Sequence, residues 1–314
     1  MVVHTMYTIK QVAVRTGLGA PLIRAWERRY GVVEPTRTPS GYRLYDDQAI
    51  AVLLAMRGLL ERGWTASEAA RAIRAGEVAV GEVVSEPPSG SGTPAESTRD
   101  HRRQMIDAFV AAAESASPVE TEAALDEILA SGSFEAVIDD VLLPATAALG
   151  ESWAAGRLSV AAEHAASGAV ARRLAAAYQA AATDTRTRVL VGLPPGSRHE
   201  LGALAFAVAL RRRGVGVMYL GPDVPVDAWV DVARRTKARA AVVAIVTEVD
   251  RAPAATVIDA LRAVPVRTVA VGGAAANGDR GDAVGGVDLG DVLVLPPRVV
   301  DASAAVAQAI GRRP

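Results

Sequence analysis

The chain contains no cysteine. Disulfides, thiolate metal sites, cysteine nucleophiles and thioether-linked chromophores are therefore excluded. The absence fits a reducing compartment, and the cytoplasm is the expected location. Aromatic residues make up only 4% of the sequence. Ala and Val must carry much of the packing, and abundant Ala points to closely packed helices. Neither sign of charge predominates, with 34 Lys and Arg against 35 Asp and Glu. Net charge thus argues neither for nor against nucleic acid, and the distribution must decide. No apolar run is long enough to span a membrane. The first residues, Met1-Val-Val-His-Thr-Met, show no basic-then-apolar signal pattern, so no membrane association is expected. Half of the 314 residues are apolar, enough for two or three domains with real cores.

Three segments follow one another. From Tyr7 to Gly76 the pattern is helical with a basic surface. Thr8-Ile-Lys-Gln11 reads as a capping box opening a first helix. A second helix starts near Ala20-Pro21, where proline is tolerated in the first turn, and runs to Tyr30-Gly31. Pro35, Pro39 and Gly41 exclude a helix from Val32 to Tyr45 and predict a loop or a two-stranded wing. Helices follow from Asp47 to Gly63 and after Thr65-Ala-Ser-Glu68. Residues 81–100 include the Pro/Gly/Ser-rich stretch SEPPSGSGTPAESTRD and read as a flexible linker. Residues 101–184 are helical again and predict a four-helix bundle. Ser117-Pro-Val-Glu120 is a capping box with proline at its first helical position. Phe134, Val137, Ile138, Val141 and Leu142 share a helical face, and Pro144 should kink or break that helix. From Thr187 the period changes. Val189–Leu193, Val215–Tyr219, Ala240–Val246, Thr268–Val271 and Val292–Leu295 are short apolar runs separated by helical stretches. They predict a parallel sheet covered on both faces, over residues 185–314.

Two short helices joined by Thr16-Gly-Leu-Gly19 form a helix-turn-helix candidate. The second helix carries Arg24, Arg28 and Arg29, and the wing carries Arg37, Tyr42 and Arg43. A basic helix sized for the major groove, with basic wing residues for phosphates, is what DNA binding requires. Spacing alone leaves a solvated helical hairpin as an equal reading. The string Leu22-Ile-Arg-Ala-Trp-Glu-Arg-Arg-Tyr-Gly31, then Pro35, Arg37 and Gly41-Tyr-Arg-Leu-Tyr45, closely resembles the MerR winged-helix signature. The resemblance extends over residues 1–80, through the helices after the wing. It implies a dimer on a pseudo-palindromic operator, with Arg24 and Arg28 toward the groove and Arg37, Tyr42 and Arg43 on the backbone. Trp26 and Tyr30 are expected in the core of this small domain.

Of four histidines, His4 and His101 lie in a tail and near the linker. His199 lies in Pro194-Pro-Gly-Ser-Arg-His-Glu-Leu-Gly202, the loop after the first strand of the sheet. Open α/β sheets bind ligands at that end, and an imidazole on a glycine-containing loop suits axial ligation of a metal within a cofactor. A surface-loop histidine is the bland alternative. His199-Glu-Leu-Gly202 resembles the His-x-x-Gly core of the cobalamin-binding fold, and Gly272-Gly273 resembles its second glycine motif. In the bundle, Trp153 followed after nine residues by Glu163-His164 resembles the upper-face motif of MerR-family cobalamin photoreceptors of the CarA/CarH/LitR type.

That resemblance implies a winged helix-turn-helix, then a four-helix bundle lying over the corrin, then a flavodoxin-like, doubly wound cobalamin-binding sheet. It implies adenosylcobalamin as cofactor, His199 as the axial cobalt ligand, Trp153 against the adenosyl group, and ligand-dependent homodimers or homotetramers. Two positions depart from the pattern. Ser197 stands where the family loop has an acid that orients the imidazole, and Ala154 stands where the photoreceptors have a histidine after Trp153. The family's Ser-x-Leu after the third strand is replaced around Ala244-Ile-Val246, where Thr247 offers a nearby hydroxyl. The expected activity is a light-responsive repressor, not an enzyme. A light-insensitive sensor of a corrinoid or another tetrapyrrole (haem or bilin) is the first alternative. A corrinoid carrier subunit is the second, against which the DNA-binding segment argues.

Overall fold

Strand β1 (Tyr7–Thr8) leads directly into helix α1 (Ile9–Thr16). The Thr8 amide donates to Gln11 Oε1 at 2.8 Å, which closes the expected capping box. Gly17, at φ 71°, ends the helix by donating its amide to the Ala13 carbonyl, a conformation that L side chains resist. Helix α2 (Ala20–Tyr30) follows, and then strands β2 (Thr36–Arg37) and β3 (Arg43–Tyr45). The three strands pair antiparallel in the order β1-β3-β2, with Tyr7 opposite Tyr45 and Thr36 opposite Leu44. The wing therefore has one strand more than expected. Helices α3 (Asp47–Glu61) and α4 (Ala66–Arg74) complete this segment. Its core buries Ile23, Trp26, Tyr45, Leu53, Met56 and Leu59 completely. A computed structural model describes residues 6–38, 43–61, 64, 66–78, 94–181, 186–276, 283–284, 287–288 and 291–311.

Helix α5 (Pro94–Glu114) begins earlier than the sequence suggests. The flexible linker expected to reach Asp100 is corrected here: helix already runs from Pro94, a residue suited to a first turn, and 81–93 lie outside the described residues. Helix α6 (Pro118–Ala130) opens as expected, with the Ser117 hydroxyl accepting the Glu120 amide at 3.3 Å. Helix α7 (Phe134–Val137) passes into a π-helical turn, Ile138–Leu142, and then into α8 (Leu143–Ala154). The break expected at Pro144 is this turn. The Leu143 amide reaches back five residues to Ile138, and Pro144, which has no amide proton, falls in the first turn of α8. Helix α5 packs on both α6 and α8. Helix α9 spans Val160–Ala180. The chain divides into two compact units within it, Met1–Ala166 and Ser167–Pro314.

The second unit alternates strand and helix: β4 (Val189–Gly192), α10 (Leu201–Arg212), β5 (Val217–Gly221), α11 (Val226–Thr236), β6 (Ala240–Ala244), α12 (Arg251–Arg262) and β7 (Thr268–Gly272). A two-stranded ribbon, β8 (Ala283–Val284) and β9 (Val287–Asp288), precedes β10 (Leu293–Val294) and α13 (Val299–Gly311). The main sheet is parallel, in the order β10-β7-β6-β4-β5. This is the flavodoxin-like order with its switch point between β4 and β6. Leu190, Ala241, Val243, Val269 and Val271 alternate onto one face and pack with Trp229, Val257 and Ile258 of α11 and α12. Helices α10 and α13 pack on each other and against β4, β5 and β7. Strands buried on both faces explain the unbroken apolar runs.

Candidate functional site

In the first unit, α2 is positioned by its own core residues and by a polar clamp. Ile23 and Trp26 are fully buried, while Arg24, Arg28 and Arg29 lie on exposed positions. Arg43 of the wing donates Nε to both Glu27 carboxylate oxygens at 3.0 Å, and the Tyr45 hydroxyl donates to Glu27 at 3.2 Å. Burial and the Glu27 carboxylate push the Tyr45 hydroxyl up to about 12, against Arg43 and Arg24. Arg43, expected on a DNA phosphate, is thus found fastening the wing to α2. Arg37 is exposed on β2, and Tyr42 lies outside the described residues. Sequence reasoning missed Glu27, although an acid between Trp26 and Arg28 on a basic helix was a visible signal.

Helix α2 also packs against α6 of the bundle. The Trp26 indole donates Nε1–H to the Ala130 carbonyl at 2.7 Å. Arg29 pairs with Glu127 at 2.7 Å and Arg28 with Asp126 at 3.6 Å. Nothing in the local sequence pattern announces these contacts. Farther along the bundle, Trp153 lies in the last turn of α8 with 51% of its surface exposed. Glu163 and His164 open α9. Glu163 holds His164 Nδ1 at 2.6 Å, while the imidazole is three-quarters exposed.

In the second unit, the expected residues gather at the carboxyl ends of β4, β6 and β7. His199 is exposed on the β4–α10 loop. Ser197 is 2% exposed, and its hydroxyl makes no hydrogen bond. The loop is pinned to the β5–α11 turn: Gly196 donates its amide to Asp223 Oδ1 at 2.7 Å, and the Asp223 amide returns to the Ser197 carbonyl at 2.9 Å. Beyond His199, Glu200 accepts the Tyr219 hydroxyl at 2.8 Å. Burial, then Glu200, pushes that phenol above its ordinary range. Gly202 sits in the first turn of α10, where a Cβ would meet open space.

The loop after β6 is built around Asp250, which sequence reasoning missed. Its carboxylate accepts the Val246 and Thr247 amides at 3.1 and 2.8 Å and the Thr247 hydroxyl at 3.0 Å. Burial alone would raise its pKa. The Thr247 amide and hydroxyl, the nearby Ser197 hydroxyl and the Val246 amide outweigh that and hold the carboxyl below its ordinary value. The Thr247 hydroxyl, expected to face a ligand, is therefore occupied by Asp250. The pattern Thr247-x-x-Asp250 was the available signal. Gly273, at φ 113°, lies directly over this loop, and a Cβ there would meet the Ile245 carbonyl oxygen at 2.4 Å. Gly272 faces Leu295. The double glycine is thus a place where two backbones touch.

Residues 7–76 match the MerR HTH family of regulatory proteins, and residues 102–178 match the B12 binding domain family. The chain belongs to the MerR-family cobalamin-binding transcriptional regulators. Its relatives include the HTH-type transcriptional repressor CarH of Myxococcus xanthus, 36% identical over 222 residues, which are 70% of this chain and 72% of that protein. The HTH-type transcriptional repressor CarA of the same organism is 33% identical over 275 residues, 86% of this chain and 87% of that protein. The monomethylamine corrinoid protein of Methanosarcina barkeri is 15% identical in sequence, with a TM-score of 0.49 over 66% of this chain and 99% of that one. The protein is a corrinoid-binding, DNA-binding regulator. No helix among the described residues is long and apolar enough to cross a membrane.

Proposed function

We propose that this regulator is a repressor that uses adenosylcobalamin to sense light. The observation that carries the reading is the β4–α10 loop, which exposes His199 two residues from a buried Ser197. The Ser197 hydroxyl lies near the Asp250 carboxylate without closing a hydrogen bond to it, and would meet a ligand or the imidazole that holds one. When bound, adenosylcobalamin supplies a cobalt–carbon bond that green light breaks. His199 would hold the cobalt, oriented by Ser197 in place of the family's acid. Gly202 would leave room for the corrin or its nucleotide tail, while Gly272 and Gly273, packed on Leu295 and Ile245, and Thr247, bonded to Asp250, would fix the wall behind it. Trp153 would pack on the adenosyl group, a role that suits an aromatic ring left half exposed. Glu163 would orient His164 on the same upper face. Arg24, Arg28, Arg37, Tyr42 and Arg43 would serve the operator. We assign the DNA-binding function to residues 1–80, the upper cover to the helices up to 184, and the lower ligand to residues 185–314.

Ligand would shift assembly through its different affinity for two oligomeric forms, and several DNA-binding modules acting together would set operator occupancy. Ala154 and Ser197 favour a second reading, a corrinoid sensor that does not respond to light. Without a histidine after Trp153, His164 would be the bundle imidazole able to hold the metal. Absorption spectra of the protein with adenosylcobalamin in the dark and after green light, with sizing chromatography of both, separate the two. A spectral change with a change in oligomer size supports the light sensor. Binding without a size change leaves the corrinoid sensor, and no binding overturns both.

A further inference from the structure

The helix that reads DNA is not free in the first unit. Trp26, Arg28 and Arg29, all on α2, meet three groups in the last two turns of α6: the Ala130 carbonyl, Asp126 and Glu127. We propose that α6 is an internal dock for the DNA-reading helix, in which two carboxylates take the place of DNA phosphates, so that operator binding requires α2 to leave the bundle. The proposal rests on DNA binding by the winged helix and is independent of which corrinoid is bound.

The chemistry of the two partners is matched. A guanidinium pairs with a carboxylate or a phosphate through the same charge-assisted hydrogen bonds. Positions 26, 29 and 30 share one face of a helix, and Arg28 lies beside it. Of the α2 arginines assigned to the operator, Arg28 is the one turned to α6, where it pairs with Asp126, and its neighbour Arg29 pairs with Glu127. Competition separates the two states. A guanidinium held by Asp126 or Glu127 is not available to a phosphate in the same geometry, so α6 and a duplex compete for Arg28 and Arg29.

The strength of the dock also fits a switch. Asp126 and Glu127 are 42% and 43% exposed, and ion pairs of that exposure are individually weak. The Trp26 hydrogen bond and the packing of α2 on α6 add to them without making the contact permanent.

Two experiments with the full chain test the dock, both read by fluorescence anisotropy on a labelled mixed-sequence DNA duplex. In the first, Asp126→Asn with Glu127→Gln is compared with Asp107→Asn and Glu151→Gln, an equal change of charge on α5 and α8. The α6 pair should bind DNA roughly threefold to tenfold more tightly than the parent, and the control pair should change little. Equal gains in both pairs would reveal a simple charge effect and overturn the dock, as would no gain in the α6 pair. In the second, Arg29→Cys and Glu127→Cys are placed in a chain with no other cysteine and joined by a reducible thiol crosslinker. The linked protein should lose DNA binding and regain it on reduction. Equal binding in the linked and reduced forms would overturn the proposal.

Discussion

Two loops flank the switch point of the parallel sheet, and they are built in opposite ways. The loop after β6 is saturated: Asp250 accepts three hydrogen bonds from its own turn, and Gly273 seats the next backbone against Ile245. The loop after β4 is held at its two ends, by Asp223 and by the Glu200–Tyr219 bond, while the Ser197 hydroxyl closes no hydrogen bond and the imidazole stays in solvent. The first loop needs nothing further from outside the chain. The second is complete only when something meets Ser197 and His199. The contrast separates a rigid support from a receptive surface, and pre-organisation of the one lowers the cost of ordering the other.

Substitutions can break or sharpen that contrast. Gly273→Ala should have the largest effect. Its Cβ would collide with the Ile245 carbonyl at a backbone angle that alanine resists, and urea unfolding should show a loss of about 3 kcal/mol or more. His199→Ala should leave the unfolding curve unchanged, because the ring is exposed, yet weaken corrinoid binding roughly 100-fold, as titrated by absorbance. Asp250→Asn should cost about 2 kcal/mol, since it removes an ionised acceptor of three hydrogen bonds. The parent should also show an acid step that this variant lacks. The folded carboxyl titrates below its ordinary value, so its stabilisation is present above the ordinary value and fades as pH falls through the folded one. Ser197→Ala should have the smallest effect on stability, within about 1 kcal/mol and of either sign, because the hydroxyl lies near Asp250 without closing a hydrogen bond to it. If Ser197→Ala proves as damaging as Asp250→Asn, the two loops are not different in kind.

Much of the fold was legible because its signals are local. The five apolar runs became five parallel strands, and Thr8 and Ser117 became helix caps, because periodicity and capping act within a few residues. The receptive loop was legible through His199 and Gly202 only with the family pattern beside them. What stayed hidden depends on distant partners or on very short elements. Strand β1 has two residues and so shows no alternation. The π-helical turn at Ile138–Leu142 keeps the apolar spacing of an α-helix while shifting its hydrogen bonds by one residue. The start of α5 at Pro94 lies in a stretch whose composition reads as linker. Glu27, Asp223 and Asp250 act through folded neighbours far along the chain or through a turn of only four residues. Trp26 was rightly expected in a core, but its indole partner, Ala130, lies 104 residues away.

The pairs Arg28–Asp126 and Arg29–Glu127 bear on how the regulator responds to ionic strength. A free winged helix loses affinity steeply as salt rises, by about 0.9 logarithmic units per logarithmic unit of salt for each phosphate neutralised. Here, two of those arginines exchange a carboxylate for a phosphate, and salt screens both sides of the exchange. The docked protein should therefore show a salt slope shallower by up to about two phosphate contacts than its α6-neutralised variant. Its operator occupancy would then be partly buffered against changes in cellular ion content.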